Sequence, residues 1–271
     1  MPGSIWTGTI SFGLVVVPVR MVSATRDLDI HFHQIDARTG ERLQIRRVSE
    51  SDGEEVSWDE IGHGYELDEQ LVVLSDDELD AAAPERTHTI EIEEFVQASE
   101  IDPAQFNQPY FLLPSSDAEG VIRAYQLLRD GMARTDQVAI GRVVLRSNEY
   151  LVAVHVRENL LSLSTMLFAD EIRDTSEIDA IPQGAEWAPK RGELSAATEL
   201  IDAMTHDFDP SSYEDRYRTR LQKLVDSKAK GGGKDAGKES APDQAEHDSV
   251  ARPAPDLMAS LRQSLAKARQ G

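Results

Sequence analysis

The chain has 271 residues, no cysteine and a formal charge of −21, with 28 Lys plus Arg set against 49 Asp plus Glu. The absence of cysteine excludes a disulfide scaffold and a thiolate zinc site, and no stretch reaches the ~18 uninterrupted apolar residues of a membrane span. The start, Met1-Pro2-Gly3-Ser4, lacks the basic region of a secretion signal, so the expectation is a soluble cytoplasmic protein.

In chain order, residues 5–19 mix β-branched residues with Gly8, Gly13 and Pro18, a pattern of strands broken by a bulge or tight turn. Residues 71–74 and 89–96 read as two further strands, separated by Ser75-Asp76-Asp77-Glu78, a capping box ahead of a short helix. Val121, Ile122, Tyr125, Leu128 and Met132 repeat at helical spacing. Residues 138–146, 150–157 and 160–167 then read as an antiparallel meander, its turns at Ser147-Asn148-Glu149 and Glu158-Asn159. The first 185 residues or so are therefore mainly β, arranged as a barrel with short helices.

After Gly192 the period changes. Leu194, Ala197, Ile201 and Met204 predict an amphipathic helix, and Asp209-Pro210 opens a second whose face carries Tyr213, Tyr217, Leu221 and Leu224. Residues 227–255 contain Gly231-Gly232-Gly233 and almost nothing apolar, the composition of a flexible linker. Asp256 caps a last short helix with Leu257, Met258, Leu261 and Leu265 on one face; alone it is marginal in water and calls for a partner. No internal repeat stands out.

The charge is uneven. Residues 50–102 hold nineteen acidic residues and one basic residue, Arg86. Residues 20–47 carry six Arg against four acids, and residues 123–157 six Arg against three. All seven Lys lie at or after Lys190. An acidic lobe facing solvent beside a basic surface that meets phosphate fits this distribution, as does a solvated acidic face with scattered Arg.

His31 and His33 stand two apart, which on a strand puts both imidazoles on one face, but no third metal ligand is nearby. Phosphate-binding glycine loops, Gly-x-Ser-x-Gly and His-Glu-x-x-His are absent from the sequence. Trp6, Trp58 and Trp187 are either stacking platforms for bases or core and rim residues.

The run Ser4-Ile5-Trp6-Thr7-Gly8-Thr9-Ile10-Ser11-Phe12-Gly13-Leu14-Val15-Val16-Val17-Pro18-Val19 resembles the opening of the bacterial Ku proteins of non-homologous end joining. Similar blocks follow in the family's order. They are Ile30-His31-Phe32-His33-Gln34, Pro84-Glu85-Arg86 with Thr89-Ile90-Glu91-Ile92, Pro109-Tyr110-Phe111-Leu112, Ala169-Asp170-Glu171-Ile172-Arg173, and Phe208-Asp209-Pro210 with Tyr213 and Tyr217. The resemblance covers residues 1–228 and implies an α+β fold: a Ku-type β-barrel core with an inserted DNA-encircling arm (1–190), a helical C-terminal part (191–228), a linker (229–255) and a partner-docking helix (256–271). It implies a homodimer that closes around double-stranded DNA ends without reading sequence, and DNA ligase D as a partner of the last helix. It implies no catalytic activity, no cofactor, no metal and no membrane, and a cytoplasmic, nucleoid-associated protein.

This chain departs from that pattern in three places. Ser49-Glu50-Ser51-Asp52 stands where many bacterial Ku proteins carry a Cys-x-x-Cys pair, so a zinc reading of that loop fails. Gln44 and His31 stand where basic residues are common, which weakens phosphate binding. Contacts to DNA ends of any sequence go to phosphate and sugar, and the planar fork of Arg suits them. The candidates are Arg20, Arg38, Arg42, Arg46, Arg47, Arg123, Arg142 and Arg146, with Leu257, Met258, Leu261 and Leu265 as the partner-binding residues. The competing class is an acidic β-barrel adaptor that binds proteins and not DNA.

Overall fold

Between residues 6 and 166, apolar side chains of successive strands turn inward, and the strands bury them by closing on themselves. The computed structural model describes residues 3–68, 70–85, 87–178, 188, 191–230 and 257–268. In chain order the elements are β1 (Trp6–Phe12), β2 (Val15–Ser23), β3 (His63–Leu67), β4 (Gln70–Leu74), α1 (Asp76–Ala82), β5 (Thr89–Gln97), β6 (Phe106–Pro114), α2 (Glu119–Thr135), β7 (Gln137–Leu145), β8 (Asn148–Arg157), β9 (Leu160–Met166), α3 (Arg191–Met204), α4 (Arg216–Ala229) and α5 (Leu257–Ala268). The described residues fall into two compact units, one within 1–28 and 33–177, the other within 29–32 and 178–271.

Seven strands form a closed barrel in the order β1-β2-β6-β9-β8-β7-β5, and β3-β4 is a separate hairpin. The barrel closes through the parallel pair β1 and β5, with Ile10 opposite Ile90. Close backbone approach requires glycine on both sides of β5. A Cβ on Gly8 would stand 2.0 Å from the His88 carbonyl oxygen, and one on Gly141 would stand 2.1 Å from that of Glu91. Inside, Ile10, Val17, Val19, Leu112, Val152, Leu161 and Leu163 have no measurable exposure. Each such side chain contributes about 1.5–3 kcal/mol by leaving water.

Helix α2 corks one end of the barrel. Tyr125, Leu128 and Met132 recur at three- and four-residue spacing and are buried. The Tyr125 hydroxyl donates to the Leu112 carbonyl at 2.7 Å and accepts the Leu161 amide at 2.8 Å. Arg129 Nη1 donates to Asn159 Oδ1 at 2.6 Å in the β8–β9 turn, which places α2 at that end. The β7–β8 turn lies at the opposite end, because β8 runs antiparallel to both of its neighbours.

Between β2 and β5 lies the insertion, and it contains a structural repeat that inspection of the sequence missed. In residues 34–43 the Asp36 amide bonds the Glu41 carbonyl, the Gly40 amide bonds the Asp36 carbonyl and the Leu43 amide bonds the Gln34 carbonyl. In residues 47–56 the same three bonds recur thirteen positions later, Ser49 to Glu54, Gly53 to Ser49 and Val56 to Arg47. Gly40 (φ 76°) and Gly53 (φ 74°) take the left-handed conformation that each knuckle needs. The faint signal was Thr39-Gly40-Glu41 against Asp52-Gly53-Glu54, too short to stand out without the hydrogen-bond pattern.

Other boundaries differ from expectation for local reasons. The β7–β8 turn falls at Arg146 (φ 56°) and Ser147 (φ 94°), with Leu145 paired to Asn148, so β8 begins two residues before Tyr150. Asp209-Pro210 opens only a single 3₁₀ turn, with the Asp209 side chain accepting from the Ser211 amide; α4 starts at Arg216, capped by Asp215, and Tyr213 precedes it. Strands β3 and β6 carried no clear alternation and went unassigned. The capping box holds: Ser75 Oγ accepts from the Glu78 amide, and Glu78 accepts from the Ser75 amide at 2.9 Å. Ser75 hydrogen bonds, first from its amide, hold the Glu78 carboxyl below the usual range. Asp256 lies outside the described residues.

Candidate nucleic-acid interface

The eight candidate arginines occupy three parts of the barrel unit. Arg38, Arg42, Arg46 and Arg47 belong to the two knuckles of the insertion; Arg20, Arg142 and Arg146 stand on or beside barrel strands; Arg123 lies on α2. The barrel does not bring its own arginines to one wall. Around the closed ring β2 is three strand steps from β7, so Arg20 and Arg142 project from different sides.

Half of the eight are already engaged. Arg38 forks onto Asp36, with Nη2 to Oδ2 at 2.9 Å and Nε to Oδ1 at 3.2 Å. The side-chain bond from Arg38 holds the Asp36 carboxyl below the usual range, and Arg38 is raised in turn. Arg46 Nη1 meets Glu55 Oε2 at 2.9 Å. Arg47 lies over the ring of Trp58, which is 77% exposed apart from this contact. Arg142 donates to Glu93 at 2.8 Å and Glu149 at 3.0 Å, and the Glu149 hydrogen bond followed by the Glu93 charge raises its pKa. The Glu93 contact depends on an irregularity in β5: the register against β7 shifts between Ile92 and Glu94, and the extra residue brings its carboxylate to Arg142.

Among the described residues, the guanidinium groups of Arg20, Arg42, Arg123 and Arg146 make no ion pair or hydrogen bond. Of the eight candidates these four have no partner among the described residues, and Arg47, held only by a ring, keeps its N–H donors for an external anion as well. Every described acidic residue between Glu50 and Asp102 is exposed, as the charge pattern requires.

The other singled-out residues resolve differently. His31 and His33 lie outside any strand, so the one-face spacing argument does not apply, and no cluster of metal-binding side chains occurs among the described residues. Trp58 is an exposed platform, Trp6 is half-buried at the barrel rim, and Trp187 lies outside the described residues. Within the basic run 216–238 of the sequence, Arg216, Arg220 and Lys223 share one face of α4 and Arg218 lies on the other. In the second unit α5 packs against α3. Leu261 and Leu265 are half-buried, as are Ala196, Ala197 and Leu200 on α3. Leu257 and Met258 lie in α5, and their side chains are outside the described set. No described helix is long and apolar enough to cross a membrane.

A closed seven-stranded barrel with a long, predominantly acidic insertion between β2 and β5 defines the class, an α+β protein built on a β-barrel. The family described as "Ku70/Ku80 beta-barrel domain" matches residues 11–196, and the chain belongs to the Ku family. It is 40% identical to "Non-homologous end joining protein Ku 1" of Saccharopolyspora erythraea over 272 residues, covering 100% of this chain and 80% of that protein. It is 40% identical to "Non-homologous end joining protein Ku" of Mycobacterium tuberculosis over 84% of each chain. The Coxiella burnetii protein of the same name is 39% identical over 84% of this chain and 83% of its own.

Proposed function

We propose that this chain is a DNA-end-binding protein of non-homologous end joining, a binding factor without catalytic chemistry of its own. The observation that carries the reading is the family membership together with four guanidinium groups that have no partner among the described residues, Arg20, Arg42, Arg123 and Arg146, outside the acidic block. Two copies form a dimer whose insertions, residues 24–88, pass around the duplex. A closed ring loads only over a free end, so topology supplies the preference for breaks and phosphate contacts supply the affinity. The exposed acids of residues 50–102 face away from DNA and repel non-productive contacts. The basic α4 adds phosphate contacts, and α5 is the docking element for DNA ligase D. The domain plan is core with arm to about residue 190, helical part to 228, linker to 255 and docking helix to the end.

The test is binding to a linear duplex at near-physiological salt, competed by unlabelled linear DNA and by covalently closed circular DNA of equal mass. Competition by linear DNA alone supports encirclement; equal competition reduces the protein to an ordinary electrostatic binder. Removing residues 256–271 should leave end binding intact and abolish stimulation of ligation, and unchanged stimulation would remove the docking role of α5.

The second reading, an acidic adaptor for proteins, draws on the neutralisation of Arg38, Arg46 and Arg142 by carboxylates. Absence of any duplex binding in the same assay would favour it.

A further inference from the structure

Opposite the end corked by α2, the barrel opens into a cavity of about 480 Å³. Its walls come from the start of β1, the end of β2, the start of β6, the β7–β8 turn and the end of β9, all within one unit. The volume lies in the range of small-molecule sites, about 300–1,000 Å³. Its chemistry is unlike the rest of the surface. Nearly one residue in five of this chain is acidic, yet no Asp or Glu lines the cavity.

Part of its polar lining is engaged within the protein: Ser23, Gln108 and Thr165 are hydrogen-bonded, and the unpaired Trp6 indole N–H is itself buried, so Trp6 offers its ring and not its N–H. The hydroxyls of Tyr110 and Tyr150 and the guanidinium of Arg146 make no hydrogen bond among the described residues. Arg146 is held at the rim by a turn in which both it and Ser147 have positive φ, a conformation that hairpins usually give to Asn-Gly. A strained backbone is thus retained where it brings a cation to the cavity. Three aromatic rings, an aimed cation and surplus donors fit a ligand with both a flat ring and an anionic group.

We propose that this mouth of the barrel binds a nucleoside phosphate, with the base against Trp6, Tyr110 and Tyr150 and the phosphate at Arg146. The ligand is either a free mononucleotide or the unpaired terminal nucleotide of a DNA strand. The two sources share the chemistry, and the site does not depend on whether the protein encircles DNA.

The experiment is calorimetric titration of the full chain with deoxyadenosine monophosphate, with inorganic phosphate and deoxyadenosine titrated separately. The expected result is one saturable site per chain, with the mononucleotide bound at least about tenfold more tightly than either half. Tyr110→Phe and Tyr150→Phe keep the rings and remove one hydroxyl donor each, so each should weaken binding by about threefold to tenfold. Melting curves identify a variant that has failed to fold, and the wild-type titration stands without either variant. No saturable binding up to about 10 mM overturns the proposal. So does binding in which phosphate alone matches the nucleotide, or which both folded variants leave unchanged. Displacement of bound mononucleotide by a duplex with a single-stranded tail, and not by closed circular DNA, assigns the site to strand ends. Displacement by neither assigns it to free nucleotide.

Discussion

The Arg47 guanidinium carbon lies 3.8 Å from the centroid of the Trp58 ring. The contact joins the second knuckle to the short turn after it and fixes the direction of an otherwise mobile cation. Trp58→Ala should therefore leave the melting temperature nearly unchanged, because the ring is exposed. It should weaken duplex binding without altering the salt dependence, since the charge remains. Arg47→Ala should flatten the dependence of log K on log salt by about 0.9. Affinity titrations at four salt concentrations separate the two; the same slope change in both variants would contradict this assignment.

Arg38 and Arg42 lie four residues apart on one knuckle, but only Arg38 has a carboxylate partner. Arg42→Ala should lower the salt slope by about 0.9, and Arg38→Ala by less, because phosphate must compete with Asp36. Asp36→Asn frees Arg38 and should raise duplex affinity at low salt. Filter binding across a salt series checks all three variants.

Tyr125→Phe removes both the hydrogen bond to Leu112 and the one from Leu161, leaving a buried amide and a buried carbonyl unpaired. The expected cost is about 1–3 kcal/mol per orphaned group, read by urea denaturation. Burial, the larger cause, raises the Tyr125 pKa above its ordinary value, against the opposing effects of the Leu161 amide and Arg129. The folded value exceeds the unfolded one of about 10. The neutral hydroxyl's contribution is complete below that pH and is lost as pH rises through the folded value, a loss absent from Tyr125→Phe.

His155 on β8 behaves in the opposite sense. Burial, reinforced by the nearby Arg157 charge, lowers its pKa below the unfolded value of about 6.5. Its contribution is present above that pH and is lost as pH falls through the folded value. Melting temperature should therefore decline on acidification below pH ~6.5, with a shallower decline in His155→Gln. Equal slopes in the two proteins would assign the effect elsewhere.

Much of the barrel was legible because a strand with one buried face repeats every two residues, and that period survives in the sequence from residue 138 to 167. The capping box at Ser75 and the helical spacing of Tyr125, Leu128 and Met132 were legible for the same reason: a local rule leaves a local mark. Strand β6 was not, because Pro109 and a run of half-buried residues between two neighbouring strands remove the alternation. Arginine content marked the candidate interface, but sequence could not tell paired from available cations. Glu93 reaches Arg142 from 49 positions away through a register shift, and no local pattern encodes that meeting.

Residue identity and short-range period alone carry the acidic block, the absence of Lys before Lys190, the helical spacing after Gly192 and the resemblance to the Ku proteins. Which strands close the barrel, which four of the eight candidate arginines lack partners among the described residues, the repeat of the two knuckles, and the meeting of Trp6, Tyr110, Tyr150 and Arg146 at one acid-free mouth all arise in three dimensions. Barrel closure joins residues far apart in the chain. Contact, pairing and burial at those junctions depend on register in space, and register is fixed by the packing of the whole.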